Sequence, residues 1–167
     1  TFHCWKQKGG HGSLDLLGGI MNSCDLYFYE VARRVGIDRI SAMAERMGLG
    51  TILDIELPGE KKGLMPTRAW KRAAKGSAWT QGETMISGIG QGYMLVTPLQ
   101  LAVMTARLAN GGRAVKPRLT SALVSFDGAE IPAPPLPEFD DIGISPAHLD
   151  VVLKGMVAVT NSPGGTA

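Results

Sequence analysis

Apolar residues recur at helical spacing in two consecutive stretches of the first third of the chain. Two sets of four share the i, i+3, i+4, i+7 spacing of a buried helical face: Phe28, Val31, Ala32 and Val35, then Ile40, Met43, Ala44 and Met47. A glycine follows each set, at positions 36 and 48, where helices commonly end. The pattern predicts two helices within residues 25–48, joined at Gly36-Ile37.

Three further helices are predicted where a capping residue precedes an apolar or amphipathic run. Thr67 precedes the short run RAWKRAA, and Thr97-Pro98 precedes a longer run that ends at NGG, residues 110–112. Ser145-Pro146 opens the last helix. The helix after Thr97 is apolar nearly all round, so we expect it to lie in the interior.

The rest of the chain is rich in turn signals. Residues 117–132, PRLTSALVSFDGAEIP, are typical of a β-hairpin with Asp127-Gly128 as its turn. Residues 77–93 lack a helical pattern and are predicted to form a loop. They end in SGIGQGY, whose alternating glycines indicate close approach of the backbone to a neighbour.

Composition and charge narrow the class of protein but not its function. The chain has 167 residues, of which 44% are apolar and 19% charged, as in one soluble globular domain. A formal net charge of +2 is too small to argue for a nucleic-acid partner. The longest uncharged apolar stretch, residues 94–106, is too short to cross a bilayer.

The triplet Ser23-Cys24-Asp25 precedes the first predicted helix and has two interpretations. In an extended segment, Ser23 and Asp25 project to one side and Cys24 to the other, which presents a hydroxyl and a carboxylate together for proton transfer. Serine or aspartate before an apolar helix is also the ordinary N-cap. Spacing alone favours the cap.

Cys4, His11 and Cys24 bring three potential metal ligands, two cysteines and one histidine, within 21 residues. Thiolates and imidazole suit Zn²⁺, and a fourth ligand would come from elsewhere. The spacing matches no zinc-finger pattern, so a Cys4–Cys24 disulfide and a buried free Cys24 remain as alternatives.

Several segments, taken in order, resemble one family: CWKQKGGHG, SCDLYFYEVARRVGIDRI, GLG, MPTRAWK, IGQGYMLVTPLQLAVMTARLANGG and GGTA. They are similar to the transpeptidase domain of class B penicillin-binding proteins, most closely the elongation-type members. The resemblance covers nearly the whole chain. It implies an α+β fold of the serine β-lactamase and penicillin-binding protein type, to which these residues contribute mainly the helical lobe and a small hairpin.

The resemblance implies acyl transfer to peptidoglycan stem peptides through a serine acyl-enzyme, and inhibition by β-lactams. Three motifs, S-x-x-K, S-x-N/D and K-S/T-G, carry this chemistry in the family. The middle motif corresponds to Ser23-Cys24-Asp25. Ser23 would pass a proton towards the leaving group, and Asp25, which is Asn in many relatives, would orient the motif lysine and bind the substrate amide.

Neither S-x-x-K nor K-S/T-G occurs in the 167 residues. We therefore expect residues 1–167 to be a partial transpeptidase domain that lacks the S-x-x-K segment upstream and the K-T-G strand downstream. Such a chain should be inactive alone, and its uncovered apolar faces should favour aggregation. The alternatives are a division-type relative, or a non-catalytic penicillin-sensor or interaction module with the same fold.

The resemblance also bears on metal, partners and location. Some elongation-type members have a structural zinc beside the S-x-N loop, which implies His11 and Cys24 as ligands, with Cys4 where relatives use an acidic residue. No cofactor is needed for the chemistry itself. The implied parent is periplasmic, is anchored in the inner membrane by an N-terminal helix outside this chain, and works with a SEDS-type glycan polymerase and the elongation machinery.

Overall fold

The computed structural model describes residues 2–167, which form seven helices and one two-stranded antiparallel sheet. The elements in chain order are α1 (Leu16–Met21), α2 (Asp25–Val35), α3 (Ile37–Arg46), α4 (Arg68–Lys75), α5 (Gln81–Ser87), α6 (Pro98–Ala109), β1 (Ala122–Val124), β2 (Glu130–Pro132) and α7 (Pro146–Asn161). This helix-rich content with a small hairpin confirms the predicted contribution to an α+β fold.

The helices predicted from capping residues all form. The hydroxyls of Thr67, Thr97 and Ser145 each accept a hydrogen bond from a backbone N–H of the first turn of α4, α6 and α7 respectively. Gly36 separates α2 from α3 with a φ of +82°, which its lack of a Cβ permits. The hairpin pairs Leu123 with Ile131 and turns at the predicted dipeptide.

Three features differ from the sequence-based expectations. Residues 77–93 are not all loop, because a capping box at Thr80 starts α5. The helix α1 has no apolar periodicity long enough to predict it and is instead fixed by the Asp15 cap. The helix α6 is only partly interior: Leu101 is 45% exposed, so one apolar face of this helix has no cover among residues 2–167.

Two helix pairs pack on either side of the turn between α1 and α2. The helix α2 packs against α5, and α1 packs against α7. Gly88, just after α5, confirms the expected close approach, because a Cβ there would overlap the Cβ of Ala32 in α2. In the second pair, Gly155 of α7 lies against Ile20 of α1. The packing places the α1–α2 turn next to the C-terminal end of α7.

A buried glutamine of α6 binds the irregular segment between α3 and α4. Gln100 is fully buried, and its amide nitrogen donates hydrogen bonds to the carbonyl oxygens of Thr51 (2.7 Å) and Lys62 (2.9 Å). The two bonds satisfy both donors of an amide group that is itself buried. Within residues 2–167, no helix combines the length and apolar character needed to cross a bilayer.

Candidate active site

The triplet Ser23-Cys24-Asp25 forms the tight turn between α1 and α2. Ser23 has a left-handed φ of +47°, Cys24 is extended and is the N-cap of α2, and Asp25 is the first helical residue. The triplet is therefore not extended throughout, and neither Ser23 nor Asp25 is the N-cap. The carboxylate of Asp25 lies in the first turn, where the helix dipole favours negative charge.

Trp5 binds this turn through both its backbone and its side chain. Its backbone N–H donates to Asp25 Oδ2 at 2.9 Å. Its indole Nε1–H lies 3.1 Å from the carbonyl oxygens of both Asn22 and Ser23 and donates to the two together. The turn that carries the family motif is therefore held by a residue 17 to 20 positions earlier in the chain.

The hydroxyl of Ser23 contacts the other end of the chain. Ser23 Oγ and Thr166 Oγ1 are 2.6 Å apart, and either atom can be the donor. Both residues are exposed, so the pair is open to a substrate. Sequence reasoning assigns no role to Thr166 or Trp5, and the only signal for them is that both lie in family-like segments, GGTA and CWKQKGGHG.

The middle residue of the triplet belongs to a separate, buried cluster. Ligand atoms of Cys4, His11 and Cys24 all lie within 4.8 Å of one another, and Cys4 Sγ is 3.5 Å from His11 Nδ1. Both thiols are buried and free, so the disulfide alternative is wrong in this structure. Burial, with a smaller contribution from Cys4, raises the pKa of the Cys24 thiol.

This cluster has the donor set of a structural zinc site. Two sulfurs and one imidazole nitrogen are three of the four ligands that tetrahedral Zn²⁺ takes, and the residues present therefore fit the metal that the family resemblance implies. Cys24 is only 6% exposed and faces this cluster, whereas Ser23 is exposed. The turn thus separates a buried thiol from an accessible hydroxyl.

The geometry supports proton transfer but not nucleophilic attack. A hydroxyl hydrogen-bonded to a second hydroxyl can accept a proton at one atom while it donates another. Neither S-x-x-K nor K-S/T-G is present in the sequence to supply a family nucleophile or an oxyanion strand.

Comparison with known proteins identifies the family. The family model of the penicillin binding protein transpeptidase domain matches residues 1–167. The peptidoglycan D,D-transpeptidase MrdA of Salmonella typhimurium is 39% identical over 165 residues, which is 97% of this chain and 26% of that protein. The chain therefore spans about a quarter of the length of the curated relatives it matches.

Solved structures agree with this match. The crystal structure of Pseudomonas aeruginosa PBP2 in complex with WCK 5153 superposes with a TM-score of 0.87 at 42% identity, covering 99% of this chain and 37% of that one. The complex between PBP2 and MreC from Helicobacter pylori gives a TM-score of 0.84 at 31% identity, with 99% and 29% covered. These findings confirm the predicted family and fold.

Proposed function

The chain belongs to the penicillin-binding protein transpeptidase family, and on that premise we propose that it is part of an elongation-type peptidoglycan D,D-transpeptidase. The reaction joins two stem peptides: a serine attacks a D-Ala-D-Ala carbonyl, D-Ala leaves, and a second amine takes the acyl group. The observation that carries the proposal is the exposed Ser23 hydroxyl on a turn that Trp5 holds through the Asp25 carboxylate and the Ser23 carbonyl oxygen. β-Lactams would acylate the nucleophilic serine of the S-x-x-K motif, not Ser23.

Ser23 and Asp25 are the proposed catalytic residues of this chain. The Ser23 hydroxyl passes a proton towards the departing amine, which is general acid–base catalysis. Asp25 orients the motif lysine and binds the substrate amide. Its anchoring by the Trp5 backbone N–H at 2.9 Å fixes the carboxylate for this task.

We place the nucleophile and the oxyanion strand outside residues 1–167, because S-x-x-K and K-S/T-G are absent from them. A fluorescent penicillin should label the full-length protein covalently, and it should label Ser23→Ala more slowly. The 167-residue chain should remain unlabelled. Labelling of the 167-residue chain would overturn the partial-domain proposal. A full-length sequence that contains neither S-x-x-K nor K-S/T-G would favour the penicillin-sensor alternative.

We further propose a structural zinc held by Cys4, His11 and Cys24. The metal, when bound, supplies a cross-link between the N-terminal segment and the N-cap of α2. The proximity of all three ligand atoms, within 4.8 Å, supports this. Such a link would fix the turn without taking part in the chemistry.

Metal analysis of the purified protein tests the zinc site directly. One zinc per chain is expected, with loss of the metal on combining His11→Ala and Cys24→Ser. His148→Ala is the matched control, because His148 is exposed on α7. A metal-free wild-type protein, or a double variant that keeps its zinc, would contradict the site.

The proposed location is the periplasm, with an inner-membrane anchor helix outside this chain and a SEDS-type glycan polymerase among the partners. The support is similarity to a PBP2 solved with MreC and to a peptidoglycan synthase complex described as coordinating polymerization and crosslinking. In cells with a permeabilised outer membrane, external protease should digest the transpeptidase domain. Protection until the inner membrane is lysed would exclude this location.

A further inference from the structure

Ser23 holds a backbone conformation that its side chain does not favour. Among residues 2–167 only Ser23, Asp54 and Glu56 combine a positive φ with a side chain. The left-handed region brings the Cβ close to the following carbonyl, so an L-residue stays there only when surrounding contacts require it. Contacts from both ends of the chain reach Ser23, and they explain why the conformation persists.

Trp5 supplies the first contact, on the backbone. Its indole N–H is shared between the carbonyl oxygens of Asn22 and Ser23, which points both carbonyls in one direction and thereby selects the left-handed turn. The indole ring also lies edge-on to His11, with 5.2 Å between ring centroids. Trp5, which braces the turn through its indole N–H, therefore also contacts the cysteine–histidine cluster.

Thr166 supplies the second contact, on the side chain. The turn that follows α7 folds back on its own helix, with Gly165 N–H donating to Ser162 O at 2.9 Å and Ala167 N–H to Val159 O at 3.2 Å. A Cβ at Gly165 would overlap the carbonyl oxygen of Val159, so only glycine allows this turn. The turn after α7 thus holds Thr166 close to Ser23, and the Thr166 hydroxyl lies 2.6 Å from Ser23 Oγ.

We propose that Thr166 and Trp5 are positioning residues for Ser23: the Thr166 hydroxyl orients the Ser23 hydroxyl, and the Trp5 indole holds its left-handed backbone. The proposal rests on the function proposed above, in which Ser23 transfers a proton. A hydroxyl without a fixed partner populates three staggered rotamers, and only one of them points at a given leaving group. The brace removes the other two before the substrate arrives, which is pre-organisation of a general acid–base.

The test uses the full-length protein and separates binding of a β-lactam from the acylation step. Thr166→Val removes the hydroxyl at nearly constant shape, and we expect the first-order acylation rate to fall about fivefold to tenfold, the equivalent of one lost hydrogen bond. Drug affinity before acylation should change by less than about twofold. Thr166→Ser should restore the rate. Thr160→Val is the matched control, because Thr160 is an exposed threonine of α7 that bonds only to its own helix in this structure.

Trp5→Phe tests the backbone brace separately. It keeps an aromatic ring beside His11 but removes the indole N–H, so acylation should slow while zinc content stays at the wild-type value. Equal rates for Thr166→Val and wild type, or equal slowing by Thr166→Val and Thr166→Ser, would overturn the proposal. An unchanged rate in Trp5→Phe would overturn the Trp5 part of it.

Crystal structures of the same full-length variants distinguish failure of this inference from failure of the proposed function. If positioning is correct, Ser23 has one side-chain rotamer in wild type and Thr166→Ser and several in Thr166→Val. A wild type that β-lactams do not acylate, combined with this rotamer change, would refute the function and keep the positioning role. A Ser23 rotamer that is the same in all three proteins would refute the positioning role whatever the activity.

Discussion

Lys71 is a buried ammonium group that depends on one carboxylate. Its side chain is 7% exposed, and Nζ donates to Glu83 Oε1 at 2.5 Å and Oε2 at 2.6 Å. Burial alone would raise the pKa of Glu83, but hydrogen bonds from Lys71 and Thr80 outweigh it and hold the pKa below its ordinary value of 4.5. The pair joins α4 to α5.

Replacing Glu83 by Gln should lower the free energy of unfolding at neutral pH by about 2 kcal/mol, because the buried Lys71 ammonium group loses its counter-charge. A lowered folded-state pKa means that the carboxylate stabilises the wild type above pH 4.5 and that this contribution is lost as pH falls below 4.5. Urea unfolding at neutral and acidic pH checks both points. The variant should lose less stability on acidification.

The exposed Arg68–Asp38 pair is the control for this measurement. Its side chains are 67% and 58% exposed at a separation of 3.2 Å. Solvent screens such a pair, so Asp38→Asn should change stability by less than about 1 kcal/mol. A Glu83→Gln effect no larger than that of Asp38→Asn would argue against a buried ion pair.

At the scale of elements, end caps rather than apolar periodicity decide where the short helices form. The helix α5 has only seven residues, yet Thr80 and Glu83 form a reciprocal capping box at its start. Glu83 therefore serves both the cap and the ion pair with Lys71. One residue thus fixes both the start of α5 and its contact with α4.

Thr80→Ala should destabilise the protein by about 1 kcal/mol, because the backbone N–H of Glu83 loses its acceptor. Thr80→Ser keeps an acceptor oxygen and should lie close to wild type. Thermal unfolding measures the difference, and amide hydrogen exchange within residues 81–87 locates it. If serine and alanine were equally destabilising, the cap would not be the cause.

At the scale of the molecule, packing of α1 against α7 brings distant parts of the chain to one site. Gly155 is buried at this contact, and a Cβ there would lie 2.9 Å from Ile20 Cδ1 and 3.1 Å from Ile20 Cγ2. The close approach sets the position of α7 and, through the turn after it, the position of Thr166 beside Ser23.

Gly155→Val should push α7 away from α1 and cost about 1–3 kcal/mol of stability through overpacking. In the full-length protein it should also slow acylation by penicillin, because Thr166 moves away from Ser23. Val157→Ala is the control, since Val157 lies on the same helix and is 60% exposed. If the Gly155→Val protein were stable and acylated at the wild-type rate, the contact between α1 and α7 would not control the position of Thr166 beside Ser23.

The hairpin exposes apolar side chains on a sheet with two open edges. Phe126 is fully exposed, Val124 is 73% exposed and Leu123 is 60% exposed. Unpaired strand edges and apolar surface both promote association. The 167-residue chain alone should therefore self-associate with rising concentration in analytical ultracentrifugation. Combining Val124→Lys with Phe126→Lys should shift it towards monomer, and unchanged association would place the contact elsewhere.

The family and most of the helices followed from the sequence because their signals are local. A capping hydroxyl and the run after it lie within a few residues, as at Thr97 and Ser145, so spacing alone predicts the element. The same holds for the Asp127-Gly128 turn. The sequence predicts a loop where α5 forms, although the capping box of α5 is also a local signal. The reason is that the helix is short and the glycine-rich segment after it shows no apolar periodicity.

The sequence by itself determined the family, the residues of the motif and the candidate ligand types. Only the tertiary structure decided how these residues are arranged. The left-handed φ of Ser23, the gathering of two cysteines with His11, and the contact between Ser23 and Thr166 across 143 positions all depend on packing between distant segments. Local spacing holds no information about such contacts, because they exist only once α1 has packed against α7 and residues 4–11 have closed over the start of α2.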